Sequence, residues 1–183
     1  MEWVFAAVAL AVLVWVILIY NRLVKKRNRV ATAWSDIDVQ LTRRHDIVPN
    51  LVKVVSAYTS HERGTLEEVT RLRSQAVATS SPAQLGKIEN ELENLLGRLM
   101  VLKENYPDLK ASDNFTQLTD KLVEVENQLQ YARRFYNGAV RDLNTRVAQF
   151  PDVIIARLFR FNEAEFYAAD ASERAAPQVG NLS

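Results

Sequence analysis

The chain has 183 residues, enough for one domain plus an anchoring segment and too few for two ordinary domains. Its 23 Lys and Arg stand against 22 Asp and Glu, so a net charge of +1 gives no reason to expect nucleic acid as a partner. Zero Cys excludes disulfides, thiolate metal sites and cysteine nucleophiles, and only five Gly and five Pro favour helices over a sheet protein that needs frequent turns.

The first element is an uncharged run from Trp3 to Tyr20, WVFAAVALAVLVWVILIY. At 1.5 Å per residue its roughly 18 residues span about 27 Å, close to the thickness of a bilayer core. A cleaved signal peptide would carry a basic segment before the run, but here Met1-Glu2 precedes it and the bases follow. Arg22, Lys25, Lys26, Arg27 and Arg29 all lie just after the span, so the positive-inside rule expects the rest of the chain in the cytoplasm, the N-terminus outside and the cell (inner) membrane as the location. Trp3 and Tyr20 suit the two interfaces, and the basic cluster suits lipid phosphates.

Beyond the anchor, Val30, Trp34, Ile37 and Leu41 form one apolar stripe, and Leu51, Val55, Tyr58, Leu66, Val69 and Ala76 an approximate second one. Two placements of the chain reversal remain open. In one, Asp46 caps a new helix with Pro49 in its first turn, which puts the turn near Arg44 to Asp46. In the other, the helix kinks at Pro49 and the turn comes near Gly64, where Thr65 to Glu68 reads as a capping box. The first gives better-matched helix lengths and is the one expected.

A third helix is drawn by Leu85, Ile88, Leu92, Leu95, Leu99, Leu102 and Tyr106, with Pro82 in its first turn and Pro107 at its end. The fourth runs along Phe115, Leu118, Leu122, Val125, Leu129, Ala132, Tyr136, Ala139, Leu143, Val147 and Phe150 and stops at Pro151. The short link between them makes an antiparallel hairpin, whose exposed stripes need covering by helices from residues 22–79. The expected fold is therefore all-α: an N-terminal transmembrane helix (1–21), an antiparallel four-helix bundle with a short apolar helix in DVIIARLFRF at its end (22–161), and a tail (162–183) whose last part, Ala171 to Ser183, is expected to be mobile. Phe159, Phe161, Phe166 and Tyr167 are expected to pack back on the bundle; Arg157 and Arg160 would otherwise help that segment onto a membrane surface.

No catalytic constellation emerges. His45 and His61 are the only histidines, and His61-Glu62 lacks the second histidine of a metalloprotease motif. A metal- or ligand-binding site using them with Asp36, Asp38, Asp46 and Glu62 is the alternative from the enzyme class, and an anionic-lipid or envelope-stress sensor using Arg22 to Arg29 is a third reading. No metal or cofactor is expected. Polar residues do gather near the stripes: Asp36, Asp38, Gln40, Arg43, Arg44, His45 and Asp46 on one side, Glu126, Asn127, Arg133, Arg134 and Asn137 on the other. Buried groups of this kind must pair across helices, and the expected role is a network that fixes helix register.

IDVQLTRRHDIVPNLVKVV from Ile37 to Val55, AYTSHE from Ala57 to Glu62, ENYPDLKASDNF from Glu104 to Phe115, ENQLQYARRFYN from Glu126 to Asn137 and the Phe150-Pro151 pair together resemble the LemA family of bacterial membrane proteins. The resemblance implies a single-pass anchor, a four-helix bundle and a link to the cell envelope, and it supplies no enzyme activity. The resulting expectation is a membrane-tethered interaction or scaffold protein, partnered by the bilayer, by an unidentified membrane or cytoplasmic protein, and by a second copy of itself.

Overall fold

The structure is a computed structural model and describes residues 1–59 and 61–167. Every regular element among the described residues is helical: α1 (Glu2–Tyr58), α2 (Arg63–Ala78), α3 (Pro82–Val101), α4 (Pro107–Lys110), α5 (Asp113–Ala148) and α6 (Asp152–Leu158), with a 3-10 turn at Leu102–Glu104. The tail expected to be mobile, Ala171 to Ser183, lies outside the described residues.

α1 absorbs both the apolar anchor and the first bundle helix without a break. Its leading residues are bare: Trp3, Phe5, Leu10, Leu13, Ile17 and Leu18 are all exposed, as a lipid-facing helix requires. α1 is long and apolar enough in its leading part to cross a membrane.

The chain divides into two compact units. One consists of Met1–Val39 and Gln130–Phe166. Here Ile19 and Leu23 of α1 are buried against Ile155 and Ala156 of α6 and against Phe161. Trp34 packs on the Tyr136 ring at 5.3 Å, and the Tyr136 hydroxyl donates to the Glu165 carbonyl at 2.8 Å. Phe161 is buried as expected, whereas Phe159 and Phe166 stay about half exposed and Phe150, the last member of the α5 stripe, is exposed.

The other unit is Gln40–Leu129 together with the Tyr167–Ser183 end, of which only Tyr167 is described. Its core draws on five helices: Val48, Leu51 and Val55 from α1, Leu66, Val69 and Leu72 from α2, Leu92, Leu96 and Leu99 from α3, Leu109 from α4, and Phe115 and Leu122 from α5. Helix α3 starts as its sequence suggests, with Pro82 in the first turn and the Ser81 hydroxyl accepting from the Gln84 amide at 3.3 Å. It ends earlier than expected, at Val101, and Pro107 opens α4 instead of closing α3.

The expected reversal near Asp46 is wrong. α1 runs through Pro49, and the chain turns between Tyr58 and Arg63, the placement near Gly64. Pro49 has no N–H to give the His45 carbonyl one turn back, but Arg73 of α2 supplies a donor there, so the helix continues at little cost. Thr59 holds the turn: its hydroxyl accepts from the His61 amide at 3.2 Å and donates to the Tyr106 hydroxyl at 3.0 Å. The expected capping box does not form, because α2 has already begun at Arg63 and Glu68 pairs with Arg71. Tyr58, placed in the second apolar stripe, is substantially exposed.

Candidate functional site: a charge network in the helical core

Helical spacing alone carries two charged residues into the core. In α1, Leu41, Arg44, Val48, Leu51 and Val55 recur at steps of three and four and are all buried. In α3, Leu85, Glu89, Leu92, Leu96 and Leu99 do the same. Arg44 and Glu89 thus occupy positions where a leucine would ordinarily sit, and both side chains are fully shielded from solvent, at 0% exposure.

They meet there. Arg44 Nη1 donates to Glu89 Oε2 at 2.9 Å, and His45 Nε2 donates to the other oxygen, Oε1, at 2.7 Å. The second amino group of Arg44 contacts Glu126 Oε2 from α5 and lies 3.8 Å from Glu93 Oε2. Burial by itself pushes the Glu89 carboxyl up, but the His45 hydrogen bond and the Arg44 charge outweigh it and leave the group below the usual carboxylate range. A carboxylate held ionised can only accept, which fixes the hydrogen on His45 Nε2. Arg73 approaches from the other side, its Nε donating to the His45 main-chain carbonyl at 2.9 Å.

The arrangement ties α1, α2, α3 and α5 together at one level. Both Glu89 oxygens are occupied and a guanidinium does not deprotonate, so the set is suited to fixing register rather than to moving protons. Glu93 and Glu126 retain some exposure and stand on the wall of a cavity of about 320 Å³, shared with Leu96, Gly97, Met100 and Leu122.

The sequence-level candidates distribute unevenly. Arg44 and His45 belong to the network. Asp36, Asp38, Arg43, Asp46 and Asn127 are exposed and take no part in it, a correction to their expected membership. Arg134 is exposed too and stacks over the Tyr131 ring at 4.9 Å. Arg133 and Asn137 are half-buried in the unit that contains the anchor. Glu89, Glu93 and Arg73 join the network without having been expected from the sequence. The available signal was Glu89 itself, a carboxylate at a leucine position of a steady four-three stripe. Among the described residues no group of three His, Asp or Glu side chains is placed to hold a metal ion, and His61 is exposed near the turn.

The basic cluster after the anchor is only partly free for phosphates. Lys26 Nζ binds Asp142 Oδ2 at 2.6 Å with Arg29 3.7 Å from the same oxygen, and Arg27 lies over the Phe161 ring at 5.1 Å. Arg22 and Lys25 are exposed. Of the interface aromatics, Trp3 is bare, and the Tyr20 ring sits edge-on to Phe159 at 4.9 Å and to Phe161 at 5.6 Å.

The chain is 27% identical over 165 residues to Protein LemA of Metamycoplasma hominis, covering 84% of this chain and 74% of that one. It is 23% identical over 174 residues to Magnetosome protein MamQ 2 of Paramagnetospirillum magneticum and 21% identical over 174 residues to Magnetosome protein MamQ of Magnetospirillum gryphiswaldense, in each case covering 81% of this chain and 64% of the relative. The chain therefore spans less than two thirds of the length of the two magnetosome proteins. The LemA family model matches residues 33–180, which takes in the Arg44, Glu89, Glu93 and Glu126 network and α6, and the chain belongs to the LemA family.

Proposed function

We propose that this protein is a membrane-anchored scaffold that presents a four-helix bundle in the cytoplasm and docks an amphipathic helix of a partner protein. One observation carries the reading: the groove on the α1–α2 surface. It is a cavity of about 490 Å³ with Val52 and Leu66 on its floor and Ser56, Thr59 and Thr70 around them, rimmed by the Arg63–Glu67 ion pair at 2.8 Å. An apolar floor with a rim of both charges suits the apolar stripe and polar flanks of a helix. The most deeply buried ionisable groups, Arg44 and Glu89, are meanwhile committed to holding helices together, which leaves the outer surface as the place to act. The positive-inside distribution of Arg22 to Arg29 supports the inner membrane and the cytoplasmic orientation.

Photo-crosslinking in native membranes tests the idea. A crosslinking residue at Ser56 or Glu67 of the full chain should give one reproducible protein adduct that disappears when Thr70 is replaced by Arg, while the same residue at Gln128 gives none. Adducts that are absent, or indifferent to position and to the Thr70 substitution, would overturn the proposal. An adduct that proves to be a second copy of the chain identifies self-association as the interaction.

A further inference from the structure

The C-terminal helix α6 is packed on the part of α1 where the anchor leaves the membrane. Ile19 and Leu23, at 3% and 0% exposure, are covered by Ile155, Ala156 and Phe161, with Val16, Val24 and Val147 around them. Tyr20, the last residue of the uncharged run, lies against Phe159 and Phe161. A second contact fixes the height independently. Asp142 of α5 is bound by Lys26, and the six residues from Asp142 to Ala148, where α5 ends, advance roughly 9 Å, which carries the end of α5 to about the level of Tyr20.

At that level the outer side of the segment is apolar and uncovered. Phe150 is 75% exposed, Ile154 52%, Leu158 70% and Phe159 48%. A single exposed apolar side chain is ordinary, but four large ones within ten residues of sequence are not. Arg157 and Arg160 are exposed beside them. The occupant is indicated by position: next to the covered Ile19, the end of the uncharged run exposes Trp15, Ile17 and Leu18, the side chains that a spanning helix turns to lipid.

We infer that Phe150 to Arg160 is a membrane-embedded collar. Phe150, Ile154, Leu158 and Phe159 sit among the upper acyl chains, and Arg157 and Arg160 reach the phosphates, as an interfacial helix does. The protein then meets the bilayer twice, through the spanning segment and through this collar folded against its exit. The inference rests on the reading of α1 as an anchor, and the experiment separates the two.

Because the chain has no Cys, single-Cys variants of the full protein can carry an environment-sensitive fluorophore. The positions are Leu158→Cys, Ile154→Cys, Val8→Cys in the anchor and Gln128→Cys as an exposed control, each reconstituted into phosphatidylcholine vesicles with spin-labelled lipid. The collar predicts quenching at Leu158 and Ile154 by a label near the headgroup, at least about two-fold stronger than at Gln128. Water-like emission at Leu158 and Ile154, equal to the control, overturns it. So does emission that is shielded from water yet untouched by labelled lipid, which would mean a protein covers the face. Val8 should be quenched by a label near the chain end; if Val8 is quenched and Leu158 is not, the collar alone fails, and if neither is, the anchor fails and the collar with it.

Discussion

Asn144 holds Ala164 by both of its main-chain groups: the Ala164 amide donates to Asn144 Oδ1 at 2.8 Å, and Asn144 Nδ2 donates to the Ala164 carbonyl at 3.0 Å. A side-chain amide thereby stands in for a neighbouring strand, and the segment after α6 stays on α5 without regular structure of its own. Asn144→Ala removes both bonds and leaves two main-chain groups to water, so residues 162–167 should become rapidly cleaved in limited proteolysis and their amides should lose hydrogen-exchange protection. Tyr136→Phe removes only the hydroxyl that donates to the Glu165 carbonyl and should have the smaller effect. Equal protection in Asn144→Ala and wild type would show that the clip is decorative.

Arg44 and Glu89 should be far more costly to separate than to replace together. Arg44→Met leaves the Glu89 carboxylate buried with only His45 beside it, and a loss of about 3–5 kcal/mol is expected in detergent-solubilised protein unfolded by urea. In Arg44→Met/Glu89→Leu both fully buried charges are gone, while Glu126 and the neutral His45 ring, which keep some contact with solvent, can rehydrate. The double variant should recover most of the lost stability. Additive losses in the two single variants would mean the residues are not coupled.

The sequence exposes these features unequally, for physical reasons. The anchor is legible because the run from Trp3 to Tyr20 has no charge and needs no partner to explain it. The α3 stripe is only half legible, since Leu85, Leu92 and Leu99 satisfy two interleaved patterns, one through Ile88 and Leu95 and one through Glu89 and Leu96. Periodicity favours the apolar version, yet Glu89 is the one buried, because its charge is answered by Arg44 and His45 from a distant stretch of chain. Pro49 misleads in the same way. Its usual effect on a helix is local, and the donor that offsets it comes from a different helix. Asp38 and Asp46 lie near Arg44 in sequence, while helical rotation turns them to solvent.

Stability should also fall on the acid side through Glu89. Its folded carboxyl lies below the ordinary value of 4.5, so both states are ionised above that pH and the stabilisation is complete there. As the pH drops through 4.5 and towards the lower folded value, the unfolded chain takes up its proton first and the contribution disappears. Melting temperatures of wild type and Glu89→Gln, followed from neutral pH downwards, should converge in that window, the wild type falling more steeply. Parallel curves would assign the acid sensitivity to other carboxylates, of which Asp142, held low chiefly by its hydrogen bond from Lys26, is one present in both proteins.

Topology is open to a direct measurement. Gln128→Cys should react with a membrane-impermeant maleimide only in inverted vesicles or after permeabilisation, if the domain lies on the cytoplasmic side as the positive-inside rule expects from Arg22, Lys25, Lys26, Arg27 and Arg29. Labelling of intact cells from outside would reverse the orientation. Asp142→Asn, which releases Lys26 and Arg29 from their ion pairs, should leave the orientation unchanged and lower stability by less than about 1 kcal/mol, since both partners are solvated.

The proline inside α1 offers the sharpest coupling test. Pro49 cannot donate to His45, and Arg73 Nε does so at 2.9 Å, so the two residues answer one carbonyl between them. In the wild-type chain Arg73→Ala should cost about 1–2 kcal/mol, the penalty of a buried carbonyl left without a donor. In Pro49→Ala the helix regains its own N–H at that position, and the guanidinium becomes one of two candidates for the same acceptor. Arg73→Ala should then cost clearly less, and the difference between the two backgrounds is the interaction energy. An equal cost in both would mean that Arg73 acts through packing of its stem and not through the carbonyl. The comparison also separates cause from accident, because Pro49→Ala alone should raise the melting temperature if the proline is merely tolerated by the helix.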